Sequence, residues 1–124
     1  MSELNTEARR QALPEAVPNE LVVITTTETQ QAAEQLARVL VEADLAACVQ
    51  MVAPLTSVYR WQGKIETASE VLLLIKTTRA VYAELEATIK RLHSYQTPEI
   101  IALPIATGAP DYLAWLRAAV GTSR

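Results

Sequence analysis

Phenylalanine is absent from this chain, histidine and cysteine occur once each, and glycine only three times in 124 residues. Each shortage closes a class of function. The lone Cys48 has no partner for an intrachain disulfide, which fits a reducing compartment. Gly63, Gly108 and Gly121 are scattered, so no glycine-rich loop is available to cradle a phosphate, and nucleotide binding is not expected. No Ser-His-Asp or Cys-His arrangement is suggested by the spacing around the single His93, and no enzymatic activity is expected. Positive charge is in deficit, with 11 Lys and Arg against 14 Asp and Glu. That balance argues against general affinity for nucleic acid or for anionic membranes, which rests on clustered cations. The apolar runs are too short to span a bilayer. Residues 1–19 hold Glu3, Glu7, Arg9, Arg10 and Glu15 and lack the apolar segment of a secretion signal. A cytoplasmic protein with a flexible extension over residues 1–19 and one domain over 20–120 is expected.

Half of the residues are hydrophobic, enough for a real core in one domain. Leu21 to Ile24 reads as a strand fading into Thr25-Thr26-Thr27. Thr27 and Gln30 form a capping-box pattern, and Ala33, Leu36, Ala37 and Leu40 follow at helical spacing, which predicts a helix from about Glu28 to Ala43. Ala46 to Val52 is a second strand, ended by a break at Ala53-Pro54. Ser57 to Glu66 reads as a β-hairpin turning at Gln62-Gly63, with Tyr59 and Trp61 on one face and Val58 and Arg60 on the other. Glu70 to Thr77 is a strand, and Thr78 opens a helix carrying Val81, Leu85, Ile89 and Leu92. Pro98 to Ile105 is a last strand, placed at an edge by its prolines. A terminal helix follows Gly108 and Pro110, with Tyr112, Leu116 and Ala119 on one side and Tyr112 and Trp115 as packing residues. The order is that of an α+β, ferredoxin-like βαββαβ sandwich closed by a C-terminal helix.

Such a fold covers one sheet face with helices and leaves the other open, so its strands should alternate apolar with polar. Leu21 to Ile24, Val71 to Ile75 and Ile100 to Leu103 are apolar on both faces. Further copies of the same chain are the simplest cover, and a ring closed by rotational symmetry, with hairpins reaching across to neighbours, is expected. Such an assembly should resist heat and dilution together.

Two residues are candidate metal ligands. Cys48 offers a soft thiolate suited to copper, although a strand cysteine also packs as a small hydrophobe, and alternation turns it with Gln50 toward the open face. His93 ends a helix, where it serves either as a ligand or as a cation against the last carbonyls. A second candidate is a small-ligand cleft. Glu70 and Lys76 bracket an apolar stretch on one strand face, Glu70 or Glu99 would partner Lys76, and Tyr59, Trp61 and Tyr95 could wall the space. An interface salt bridge with aromatic packing is the simpler reading of the same residues.

Five blocks follow one another along the chain: Ala46-Ala47-Cys48, Ser57 to Glu66, Glu70 leading to Ile75-Lys76-Thr77, His93-Ser94-Tyr95-Gln96-Thr97-Pro98-Glu99, and Tyr112-Leu113-Ala114-Trp115-Leu116. In this order they resemble the CutA family, the divalent-cation tolerance proteins. The resemblance implies a ferredoxin-like subunit in a tight homotrimer, similar in architecture to the PII signalling proteins. It also implies a non-enzymatic association with copper or another divalent metal and no organic cofactor. Of the family's ligand positions, which fall here on Thr25 and on Leu92-His93, only His93 carries a ligand. A PII-like sensor with clefts between subunits is the alternative function.

Overall fold

The computed structural model describes residues 18–121. Strand β1 (Glu20–Thr27) leads to helix α1 (Gln30–Glu42), then β2 (Cys48–Trp61) and β3 (Lys64–Thr78). A single 3-10 turn (Arg79–Val81) opens α2 (Tyr82–Leu92), followed by β4 (Ile101–Pro104) and α3 (Pro110–Ala119). The four strands form one antiparallel sheet in the order β2-β3-β1-β4, so each long helix carries the chain across one intervening strand. This is the expected α+β arrangement. All but the last two residues of the expected extension over 1–19 lie outside the described residues.

Alternation sorts the strands into two faces. Leu21 and Val23 of β1 and Val71, Leu73 and Ile75 of β3 point inward and meet Leu36 and Leu40 of α1, Leu85 and Ile89 of α2 and Leu116 of α3 in one core. On the opposite face the register stacks Val22 against Leu103, Ile24 against Ile101 and Leu74, and Val52 against Leu72. No helix covers these side chains, and Val52, Ile101 and Leu103 are about half exposed. The doubly apolar strands thus have one sealed surface and one open apolar surface within the chain.

Several boundaries differ from the sequence reading, each for a local reason. Helix α1 is capped by Thr29, whose Oγ1 accepts from the Ala32 amide at 3.1 Å, whereas the Thr27 hydroxyl donates to the Thr29 carbonyl at 3.0 Å. The cap therefore sits two residues later than the Thr27 pattern implied. Ala53-Pro54 does not end the second strand. The pairing shifts there from Val52 opposite Leu72 to Leu55 opposite Glu70, which is a one-residue bulge, and β2 continues to Trp61. β2 is a sheet edge, where a proline removes no interior ladder bond. The turn at Gln62 and Gly63 has φ of 50° and 80°, both positive, as a two-residue hairpin loop requires. The last strand shrinks from the expected 98–105 to four residues. Leu92, expected on the buried stripe, is 45% exposed, and Tyr112 and Trp115 pack on each other at 5.6 Å while remaining exposed. Helix α3 is held to the sheet by Leu116 and by Arg117, which bonds Glu20 on β1 at 3.2 Å.

Candidate functional site

The bulge in β2 decides what the hairpin presents. Because two residues oppose one at Ala53-Pro54, the side-chain phase reverses, and Ser57, Tyr59 and Trp61 come onto the same face as Glu70. Glu70, on the outer face of β3, is 8% exposed and sits at the centre of a hydroxyl cluster. Its Oε1 accepts from Ser57 Oγ at 2.5 Å, and its Oε2 accepts from Thr26 Oγ1 at 3.1 Å and from Tyr95 Oη at 2.8 Å. Burial works to raise the Glu70 pKa, but the three hydroxyl donors outweigh it and hold the carboxyl below its ordinary range. The Tyr95 phenol moves the other way, because burial and the adjacent Glu70 both disfavour a phenolate, so it stays a donor.

His93 supports this cluster from behind. It is the C-cap of α2, but its ring turns to β1 and not to the helix carbonyls. Nε2 lies 2.6 Å from the Thr26 carbonyl oxygen, and Nδ1 accepts the Tyr95 amide at 3.0 Å. A carbonyl only accepts and an amide N–H only donates, so the two bonds together assign the Nε2–H tautomer. The ring also lies 4.7 Å from that of Tyr95. His93 therefore fixes both Thr26 and Tyr95, two of the three donors to Glu70. Both of its nitrogens are engaged.

In front of Glu70 opens a cleft of about 380 Å³ walled by Tyr59, Trp61, Tyr95 and Thr97, with Glu99 at its rim. Five of the six expected ligand-binding residues, namely Tyr59, Trp61, Glu70, Tyr95 and Glu99, line this one space. Lys76 does not. It lies six positions along β3, its Nζ donates to Gln50 Oε1 at 2.6 Å, and neither Glu70 nor Glu99 is its partner. Thr26, Ser57 and Thr97 line the cleft without a signal in the sequence, and Val58, expected on the other face of the hairpin, lines it as well. Lone hydroxyls carry no pattern in a sequence until a fold gathers them.

The metal candidates are not brought together. Cys48 is half-buried on the open face opposite Lys76, four positions along β3 from the Leu72 that pairs with Thr26. Among the described residues no group of three or more His, Cys, Asp or Glu side chains is placed to hold a metal ion. A transition metal normally needs three or four donors, and coordination by His93 would cost its bond to the Tyr95 amide. The described residues of one chain do not fit a metal centre.

The divalent ion tolerance protein model of the CutA1 family matches residues 21–119, an interval that takes in all but the first residue of the sheet, the three helices and the whole cleft. The chain belongs to the CutA1 family. It is 49% identical over 82% of its length to the divalent-cation tolerance protein CutA of Thermus thermophilus, of which it covers 99%. A solved structure of the Cut A1 protein from that organism has a TM-score of 0.81 over 82% of this chain and 99% of the other, at 49% identity. A CutA structure from Archaeoglobus fulgidus, described as periplasmic, is 37% identical with a TM-score of 0.80, covering 82% and 99% of the two chains. The mouse CutA protein is 43% identical over 73% of this chain, which spans about half (51%) of its length.

Proposed function

We propose that this chain acts in divalent-cation tolerance as the non-enzymatic subunit of a homotrimer. Membership of the CutA1 family supports the tolerance role. The open sheet face, with Val22, Ile24, Leu72 and Leu74 flanked by the half-exposed Val52, Ile101 and Leu103, supports the assembly, since so large a contiguous apolar surface is costly in water. Copper or another divalent ion, the cofactor the resemblance implies, would be held by donors from more than one copy, because the described residues of one chain gather too few. We place the protein in the cytoplasm on the strength of its lone, unpaired cysteine.

Sedimentation of the wild type and of Leu103→Asp tests the assembly. Leu103 is 49% exposed in the single chain, so a charge there costs the isolated fold little and the assembly much. A trimer mass for the wild type and a smaller folded particle for the variant are expected; a wild-type monomer would sink the proposal. Calorimetric titration with copper tests the metal reading. Copper binding by the dissociated Leu103→Asp chain as tight as by the wild-type assembly would refute coordination shared between copies.

The cleft favours a second reading, a PII-like small-molecule sensor. A space of about 380 Å³ lies within the range of ligand pockets, roughly 300 to 1,000 Å³, and has convergent polar groups at its floor.

A further inference from the structure

The outward side of α3 is apolar, whereas α1 turns Gln31, Glu34, Gln35, Arg38 and Glu42 outward and α2 turns Lys90 and Arg91. Leu116 of α3 is buried in the core, yet Tyr112, Ala114, Trp115 and Ala118 are all exposed. A helix that is apolar all round is normally buried. Tyr112 and Trp115 lean on each other at 5.6 Å, and that contact still leaves them 43% and 48% exposed. Of the two charged residues of α3, Arg117 is taken up by Glu20 at 3.2 Å, which leaves Asp111 as the one open charge. The apolar surface given above to further copies lies elsewhere, on the sheet face opposite the core that receives Leu116.

The chain enters the fold beside this helix. Glu20 is bonded to Arg117, and the Asn19 carbonyl accepts the Arg79 amide at 2.8 Å, so the entry point is fixed at the Arg117 flank of α3. Seventeen residues of the sequence precede Pro18. With about 3.6 residues per turn, Tyr112 and Trp115 fall on one flank of Leu116 and Arg117 on the other, with Ala114 and Ala118 outside between them. Half the circumference of a helix about 10 to 12 Å across is roughly 16 to 19 Å, which five or six extended residues at about 3.3 Å each can span. The residues just before Pro18 include Leu13, Pro14, Ala16 and Val17, apolar material for that crossing over two alanines. Beyond them come Arg9 and Arg10, whose guanidinium groups suit both an aromatic face and a carboxylate.

We propose that residues 1–17 of this chain cover the outward side of α3. Leu13 to Val17 cross Ala114 and Ala118, and Arg9 or Arg10 stacks on the Tyr112–Trp115 pair beside Asp111. A neighbouring copy of the chain is the rival occupant.

Trp115 reports on its own cover. In full-length Trp61→Phe protein Trp115 is the sole indole, and its quenching by acrylamide is compared with that in three further variants of this protein. Leu13→Asp combined with Val17→Asp should raise the quenching constant roughly twofold, because it frees a ring that is about half exposed on the bare helix. Arg9→Glu combined with Arg10→Glu should raise it less. Ala118→Arg, an exposed position on the crossing, should raise it from the side of the helix. Trp61, read alone in Trp115→Phe protein, should respond to none of these changes. Unchanged Trp115 quenching in all three variants overturns the proposal, and so does an equal response of Trp61, which would mean a general loosening of the fold. Shielding of Trp115 that survives the three variants but is lost when Leu103→Asp dissociates the assembly overturns it in favour of a neighbouring copy.

Discussion

Replacing Tyr95 by Phe probes the hydroxyl cluster with the least collateral change, because the ring that stacks near His93 at 4.7 Å is kept and only the donor to Glu70 is lost. That bond is 2.8 Å long and ends on a carboxylate that is 8% exposed. Hydrogen bonds to charged groups contribute about 1.5 to 3 kcal/mol, and the lower end applies here because the open cleft lets water replace part of the lost donation. A loss of about 1.5 kcal/mol at neutral pH is therefore expected. The pH dependence carries the sharper test. Glu70 has a folded pKa below the usual 4.5, so it contributes stability that is fully present above that value and disappears as the pH falls through the folded pKa. Tyr95→Phe removes one of the three donors, moves the folded pKa back up, and shortens this acid limb. The gap between wild type and variant should be widest at neutral pH and narrow once Glu70 is protonated. Urea midpoints measured across that range read it directly, at one protein concentration because assembly makes the midpoint concentration-dependent. A gap that is constant with pH, or smaller than roughly 0.5 kcal/mol at neutral pH, would refute the account of Glu70 as an ionised carboxylate held by hydroxyls.

Two further substitutions have expected signs that ordinary intuition would reverse. Thr25 Oγ1 is buried and has no hydrogen-bond partner among the described residues, so Thr25→Val should raise stability by about 1 kcal/mol, and a fall in the thermal midpoint would show that the hydroxyl is satisfied in solution. Gln62 holds a φ of 50° in the hairpin turn, a region Asn tolerates better, so Gln62→Asn should stabilise by roughly 0.5 kcal/mol; an unchanged or lower midpoint would mean that the hairpin is limited elsewhere.

Much of this protein could be read from the order of its residues. Local spacing was enough for the β1-α1-β2-β3-α2-β4-α3 order, because the periods of two and near four residues are imposed by each element's own backbone geometry. The paired aromatics of the hairpin and the doubly apolar strands were equally legible, since both are properties of a short stretch. Four judgements were not. The reach of β2 through Ala53-Pro54 depended on β3 offering a partner strand, which turned an expected break into a bulge and brought Ser57, Tyr59 and Trp61 round to Glu70. Lys76 and Glu70 share a face in sequence, yet six positions of strand and the nearby Gln50 keep them apart. His93 reads in sequence as a metal ligand or a helix cap, whereas the fold places the Thr26 carbonyl against one nitrogen and the Tyr95 amide against the other. The polar donors to Glu70 come from β1, β2 and the segment after α2, up to 44 positions away in the chain, as Thr26 is. Which elements form, and which of their faces are apolar, follows from neighbours a few residues away and is written in the residue order. Which side chains meet follows from the folded arrangement, because hydrogen bonds and charge pairs act over a few ångströms in space and are blind to distance along the chain.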